Sequence, residues 1–181
     1  MKATPLLTGW TCRHLGDTAP GRPVTLPHDA MLAEPRTALS AGGVNTGWYE
    51  GYDYEYQRTL TVPENELSDT HILEFEGVYH NAEVWLNGQK AAFRPYGYTN
   101  FYVDCAPFLR AGDNELRVIA RNADQPNSRW YSGAGLYRPV QLWTAGDKHI
   151  LLNGVRIRTV SLEPAMVEIR VRTSAPGTVQ L

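Results

Sequence analysis

Basic residues, cysteines and long apolar runs are all scarce in this 181-residue chain. Seventeen Lys and Arg stand against 19 Asp and Glu, a formal net charge of -2. The basic stripe with which proteins neutralise nucleic-acid phosphates is therefore missing. No apolar run approaches the roughly 18–20 residues that a membrane-spanning helix needs. The opening segment, Met1 to Trp10, has too short an apolar stretch for a secretory signal, so the expected compartment is the cytoplasm. There are only two cysteines, Cys12 and Cys105, far apart in sequence. Such a pair is expected as two buried free thiols. His14, His71 and His149 are scattered without zinc-ligand spacing. The sequence has no Gly-x-Gly-x-x-Gly, no phosphate loop and no Gly-x-Ser-x-Gly; Gly133-Ala-Gly135 is too short to count. No cofactor and no metal are expected. Helical periodicity is weak throughout: no stretch of a dozen residues carries an i, i+3, i+4, i+7 apolar stripe.

What the chain does have is 43% hydrophobic residues, an ordinary globular share that excludes a disordered chain. It also has 10 Tyr, 5 Trp and 4 Phe, with 16 Gly and 12 Pro to punctuate turns. Short alternating segments recur. Pro20, Pro23, Pro27 and Pro35 forbid long regular elements before residue 50. That region reads as irregular apart from a short strand at Val24–Leu26. In Tyr54–Val62, Tyr54, Tyr56, Arg58, Leu60 and Val62 share one face, and Pro63 stops the run. Ile72–Phe75 and Asn81–Leu86 follow. Asn87-Gly88 is a two-residue hairpin turn, because a type I′ turn needs positive φ at both central positions. Gln89–Phe93 returns, and Asn100–Asp104 comes next. Gly112-Asp-Asn114 reads as a turn before Glu115–Arg121, and a last strand lies near Pro139–Trp143. About eight antiparallel strands in roughly 145 residues close most naturally as an all-β jelly-roll sandwich. Ala145-Gly-Asp147 reads as a linker. His149–Val160 and Ala165–Thr173 read as two strands of a further unit, since two strands cannot bury a core alone. The chain is thus expected to be the front end of a longer polypeptide, with the alternative that these strands extend the first sandwich.

The densest polar and aromatic run is the loop Asn122–Gly135, which holds Asp124, Asn127, Arg129, Trp130 and Tyr131. Carbohydrate recognition uses such groups: planar hydrogen-bonding side chains that bracket neighbouring hydroxyls, and an aromatic face for the sugar ring. The competing reading is a loop that plugs the sandwich. Pro27-His28-Asp29 reads as a turn in which Asp29 caps backbone amides. His80-Asn81 reads as a buried polar pair. Glycoside cleavage needs two carboxylates about 5–9 Å apart. The Asn65-Glu66 and Asn114-Glu115 steps read instead as surface turns, so no catalytic residue is assigned.

Taken whole, Gln125-Pro-Asn-Ser-Arg-Trp-Tyr-Ser-Gly-Ala-Gly-Leu-Tyr-Arg-Pro-Val140 resembles the signature of the N-terminal domain of glycoside hydrolase family two, the β-galactosidase and β-glucuronidase family. Leu26-Pro-His-Asp29, Leu73–Gly88 and Pro95–Phe101 are similar to further segments of that family in the same order. The likeness is greatest to the bacterial β-galactosidase-like subgroup. Two departures are Ala30, where the family often has Trp, and the Tyr- and acid-rich Asn45–Tyr56 stretch. The resemblance implies a galactose-binding-domain-like jelly roll over residues 1–145. It implies a linker and the start of an immunoglobulin-like domain over 146–181, and a catalytic barrel beyond this chain. The parent would be a retaining exo-β-glycosidase acting on a terminal β-linked sugar, and the 181 residues alone would be inactive. By the same resemblance Arg129, then Asn127, then Asp124 would contact the sugar, with Trp130 and Tyr131 left as packing. Affinity of the isolated chain would be millimolar or weaker, at most about 4 kcal/mol. A free-standing sugar-binding module and a structural or oligomerisation domain are the two other readings.

Overall fold

The computed structural model describes residues 1–180. Its strands are β1 (Lys2–Pro5), β2 (Trp10–His14), β3 (Arg22–Val24), β4 (Asp53–Val62), β5 (Thr70–Phe75) and β6 (Ala82–Leu86). They continue with β7 (Gln89–Arg94), β8 (Phe101–Asp104), β9 (Gly112–Arg121), β10 (Val140–Ala145), β11 (Ile150–Leu162) and β12 (Ala165–Thr173). Three 3-10 turns, at Ala30–Ala33, Gly43–Thr46 and Glu64–Glu66, are the only helical elements among the described residues.

β1 to β10 form two antiparallel sheets, ordered β1-β10-β5-β8 and β3-β2-β4-β9-β6-β7. They enclose one core and give the antiparallel jelly-roll sandwich that the alternation predicts. The six-stranded sheet contributes Trp10, Cys12, Tyr54, Tyr56, Leu60, Val84, Leu86, Leu116 and Val118 to that core. The four-stranded sheet contributes Leu73, Phe75, Val103 and Val140. Each such side chain is worth roughly 1.5–3 kcal/mol when removed from water. Cys12 and Cys105 are both free and buried. Burial pushes the Cys12 thiol up to about 11 and the Cys105 thiol up to about 12, against which hydrogen bonding and the Arg22 charge act only weakly.

The outer face of the six-stranded sheet is held by charge. Glu55, beside Ile119 in the β4–β9 register, is buried beneath two arginines. Arg13 donates to its Oε1 through Nε at 2.8 Å and through Nη2, and Arg117 Nη1 approaches Oε2 at 3.4 Å. On the other side of Ile119 in the same row, Glu83 takes Arg121 at 2.7 Å and Lys90 at 3.1 Å. Burial alone would raise the Glu83 carboxyl, but hydrogen bonds from Arg121 and Lys90 outweigh it and hold it below the usual range.

Two sequence expectations need correcting. The region before residue 50 carries three strands. β1 is an exposed edge, and β2 shows only two inward apolar positions, Trp10 and Cys12, too few to stand out as alternation. β3 ends at Val24, two residues earlier than the expected strand, and its Pro23 sits where an edge strand tolerates a missing donor. Gly112-Asp-Asn114 is the start of β9, and Asn114 is fully buried rather than on a surface turn. Its amide is what makes burial affordable there: Oδ1 accepts from Asn87 Nδ2 at 2.7 Å and from the Arg110 amide at 2.8 Å, and Nδ2 donates to Arg110 and Gly112 carbonyls. The predicted Asn87-Gly88 turn is present, with φ of 49° and 79°. β11 and β12 pair only with each other.

Candidate functional site

The loop between β9 and β10 is pinned at three places. At its far end Tyr79 and Gly135 exchange both backbone hydrogen bonds, at 3.1 and 2.8 Å. A Cβ on Gly135 would lie 2.0 Å from the Tyr56 hydroxyl, so only glycine lets the chain cross the sandwich there. The second pin is Asp29. Its Oδ1 accepts from the Met31 amide at 3.1 Å and from the Ala134 amide at 2.9 Å, and its Oδ2 accepts from the Tyr131 hydroxyl at 2.5 Å. Burial and then the Asp29 carboxylate hold that phenol well above its ordinary range. The expected capping role of Asp29 is therefore observed, with two further partners from the loop 100 residues on.

The third pin is Asn127. The Tyr79 hydroxyl donates to Asn127 Oδ1 at 3.0 Å. Asn127 Nδ2 is shared between Asn122 Oδ1 at 2.9 Å, the Asp124 carbonyl at 2.9 Å and His80 Nε2 at 3.1 Å. An amide nitrogen carries two hydrogens, so these three acceptors compete for it. Burial lowers the His80 pKa, against the pull of Asp53 and Asp124. His80 and Asn81 are both half-buried, as the polar-pair reading requires, and Asn127 is a further polar neighbour of the His80 ring. Asn122 is fully buried and donates to Met31 Sδ at 3.3 Å.

The remaining members of the loop face outward. Asp124 and Arg129 are exposed, and neither side chain has a hydrogen-bond or ion-pair partner among the described residues. Trp130 is 61% exposed on this chain, so it does not plug the core of the sandwich. It follows a bend rather than a strand, so no core-facing register applies to it. Tyr131 is partly exposed and rests on Tyr49 at 5.9 Å between ring centroids. Ser128, Ser132 and Tyr98 brace the bend: Tyr98 Oη and Ser132 Oγ are 2.6 Å apart, Ser132 donates to Ser128 at 3.1 Å, and Ser128 donates to the Trp130 carbonyl. The structure thus brings Asp124, Asn127 and Arg129 onto one loop but gives them different situations: Asn127 is tied inward and the two charged groups are free. Sequence reasoning missed Asn122, Ser128, Ser132 and Tyr98. Only their hydrogen bonds, across as many as 91 residues, reveal them. A separate polar groove, lined by Arg13, His14, Asp17, Arg22, Glu34 and Tyr54, is built from β2, β3, the connection between them, β4 and the end of the first 3-10 turn, with none of the three loop residues in its lining.

The molecule is thus an all-β, two-sheet antiparallel sandwich that carries a long pinned loop between its last two strands. The chain belongs to the glycosyl hydrolase 2 galactose-binding domain-like family, whose model matches residues 21–160. It is 36% identical over 172 residues to the β-galactosidase BoGH2A of Bacteroides ovatus, a match covering 89% of this chain and 20% of that protein. Among solved structures, a β-glycosidase from Bacteroides vulgatus superimposes with a TM-score of 0.81 at 28% identity, over 95% of this chain and 24% of the other. A glycosyl hydrolase family 2 member from Bacteroides cellulosilyticus gives 0.80 at 27%, over 89% and 23%. The chain therefore spans about a fifth to a quarter of the proteins it matches.

Proposed function

We propose that this chain is the non-catalytic N-terminal domain of a retaining exo-β-glycosidase of β-galactosidase type, and that its β9–β10 loop supports the pocket for the terminal sugar. Residues 1–145 form the domain. Residues 146–181 are a linker and the first strands of an immunoglobulin-like domain. The acids that cleave the glycosidic bond belong to a barrel outside this chain, so the 181 residues alone release no sugar. The reducing cytoplasm suits two buried, unpaired thiols.

The observation that carries the reading is the free Arg129 guanidinium on a loop that is otherwise fixed by Asp29, Asn127 and the Tyr79–Gly135 bridge. A guanidinium held on a rigid base can bridge two neighbouring hydroxyls, a geometry that Lys does not reproduce. Asp124 offers acceptors to hydroxyl donors beside it. Asn127 sets the loop's shape and keeps a second lone pair on Oδ1 for the sugar. The test is Arg129→Ala in the full-length enzyme, assayed on an aryl β-galactoside. The expected loss is about 1.5–3 kcal/mol in transition-state stabilisation, the range of a hydrogen bond to a charged group. An unchanged kcat/KM would remove Arg129 from the pocket.

A further inference from the structure

We propose that Trp130 is a stacking platform for the second sugar ring of a β-linked glycoside, the ring that departs when the terminal residue is cut. The inference rests on the pocket-supporting role given above and adds a specificity-determining residue to it. Three observations carry it. An indole is a large apolar surface that folding ordinarily buries, yet Trp130 stands 61% exposed. Among the described residues its ring N–H has no acceptor, so both its face and its polar edge are free. The backbone beneath it is nevertheless fixed. Ser128 Oγ donates to the Trp130 carbonyl, Ser132 Oγ lies 3.4 Å from the same oxygen, and Tyr98 holds Ser132 at 2.6 Å. The side chain thus presents a flat face on a preorganised base, which lowers the ordering penalty of binding.

The chemistry of the neighbours selects the ligand. Arg129 and Asp124 are exposed groups without partners among the described residues, suited to hydroxyls. An aromatic face beside such groups matches a pyranose, whose ring carries C–H bonds on its faces and hydroxyls on its rim. Arg129 and Trp130 are consecutive exposed residues of one bend, each occupying its own space on the loop. Arg129 and Trp130 therefore address different parts of one ligand, and when Arg129 holds the terminal sugar, Trp130 meets the next ring. A galactoside without that ring gains nothing from the indole.

The experiment compares two substrates in the full-length enzyme: β-galactosyl fluoride, whose leaving group has no ring, and a β-galactosyl disaccharide. Trp130→Ala is expected to lower kcat/KM on the disaccharide roughly three- to tenfold, the range for one aromatic contact. It should leave the fluoride unchanged, and Trp130→Phe should restore most of the loss. Equal losses on both substrates, or no loss on either, would overturn the proposal. So would a lowered melting temperature with an unchanged substrate ratio, which would assign the indole to a contact between domains. Arg129→Ala tests the underlying reading separately. Silence on the fluoride would remove Arg129 from the terminal-sugar pocket while leaving the Trp130 ratio to be judged on its own.

Discussion

Gly135 and Asn127 show how single residues set the candidate site. At Gly135 the backbone has a φ of +86° and the Tyr56 hydroxyl occupies the space that any Cβ would need. Gly135→Ala therefore combines left-handed strain with overpacking, and a loss of about 2–4 kcal/mol is expected. Urea unfolding of the chain, read by tyrosine and tryptophan fluorescence, would measure it. Sequence alone passed over this residue, because a single glycine in a Gly-Ala-Gly string has no partner until the sandwich brings Tyr56 beneath it. Asn127 was picked out for its hydrogen-bonding capacity, and that capacity turns out to be directed inward, to Tyr79, Asn122 and His80. Asn127→Ala is thus expected to loosen the whole loop and to weaken the site indirectly. Hydrogen exchange of the loop amides would report it: faster exchange in Asn127→Ala, with exchange in Arg129→Ala unchanged.

Among the elements, the β6–β7 hairpin was the most legible. The Asn87-Gly88 step gives the turn, and the flanking alternation gives the strands. Less visible was that the Asn87 side chain also ties the turn to β9, donating to Phe108 O at 2.8 Å and accepting from the Glu115 amide at 3.0 Å. Asn87→Ala removes the favoured turn residue and leaves Asn114 short of a partner. A loss of about 1–3 kcal/mol is expected from the same unfolding assay. The charged face of the six-stranded sheet gives a second element-level expectation. Glu55 has a side chain only 4% exposed, while its arginine partners remain about 28% exposed. Glu55→Ala should cost about 1–3 kcal/mol, below the figure for a fully buried pair because Arg13 and Arg117 can turn to water. High salt should narrow the gap between wild type and variant only slightly, since the carboxylate is shielded from solvent.

For the whole molecule the relevant balance is between protonated and neutral histidines. Burial lowers the pKa of His28, helped by Arg22 and opposed by Asp29, and burial likewise lowers that of His80. Both are held below the ordinary 6.5 in the folded chain, so the unfolded chain takes up protons first on acidification. Their contribution is complete above about pH 6.5 and is lost as the pH falls through that value toward the folded pKa. Glu83, held below its ordinary range, adds a second decline at lower pH with the same sign. The melting temperature is therefore expected to be flat from pH 8 to 7 and to drop between 7 and 5. Replacing both histidines with Gln should flatten the upper part of that curve alone. At the same scale, β11 and β12 share no ladder with either sandwich sheet. A chain ending at Asp147 is expected to melt with the same cooperativity as the longer one; a broadened transition would show that residues 148–181 are integral to the first fold.

The amino-acid sequence by itself determined the fold class. Alternation over β4, β6 and β9, the absence of helical stripes and the turn residues leave an antiparallel sandwich as the economical way to bury that many aromatics. These signals are local, read within ten residues, and they survive without any knowledge of partners. Tertiary structure alone decided the state of each site residue. Whether Asn127 is tied or free, whether Asp29 meets Ala134, and whether Trp130 is covered depend on groups far away in the chain that only folding brings within hydrogen-bonding distance.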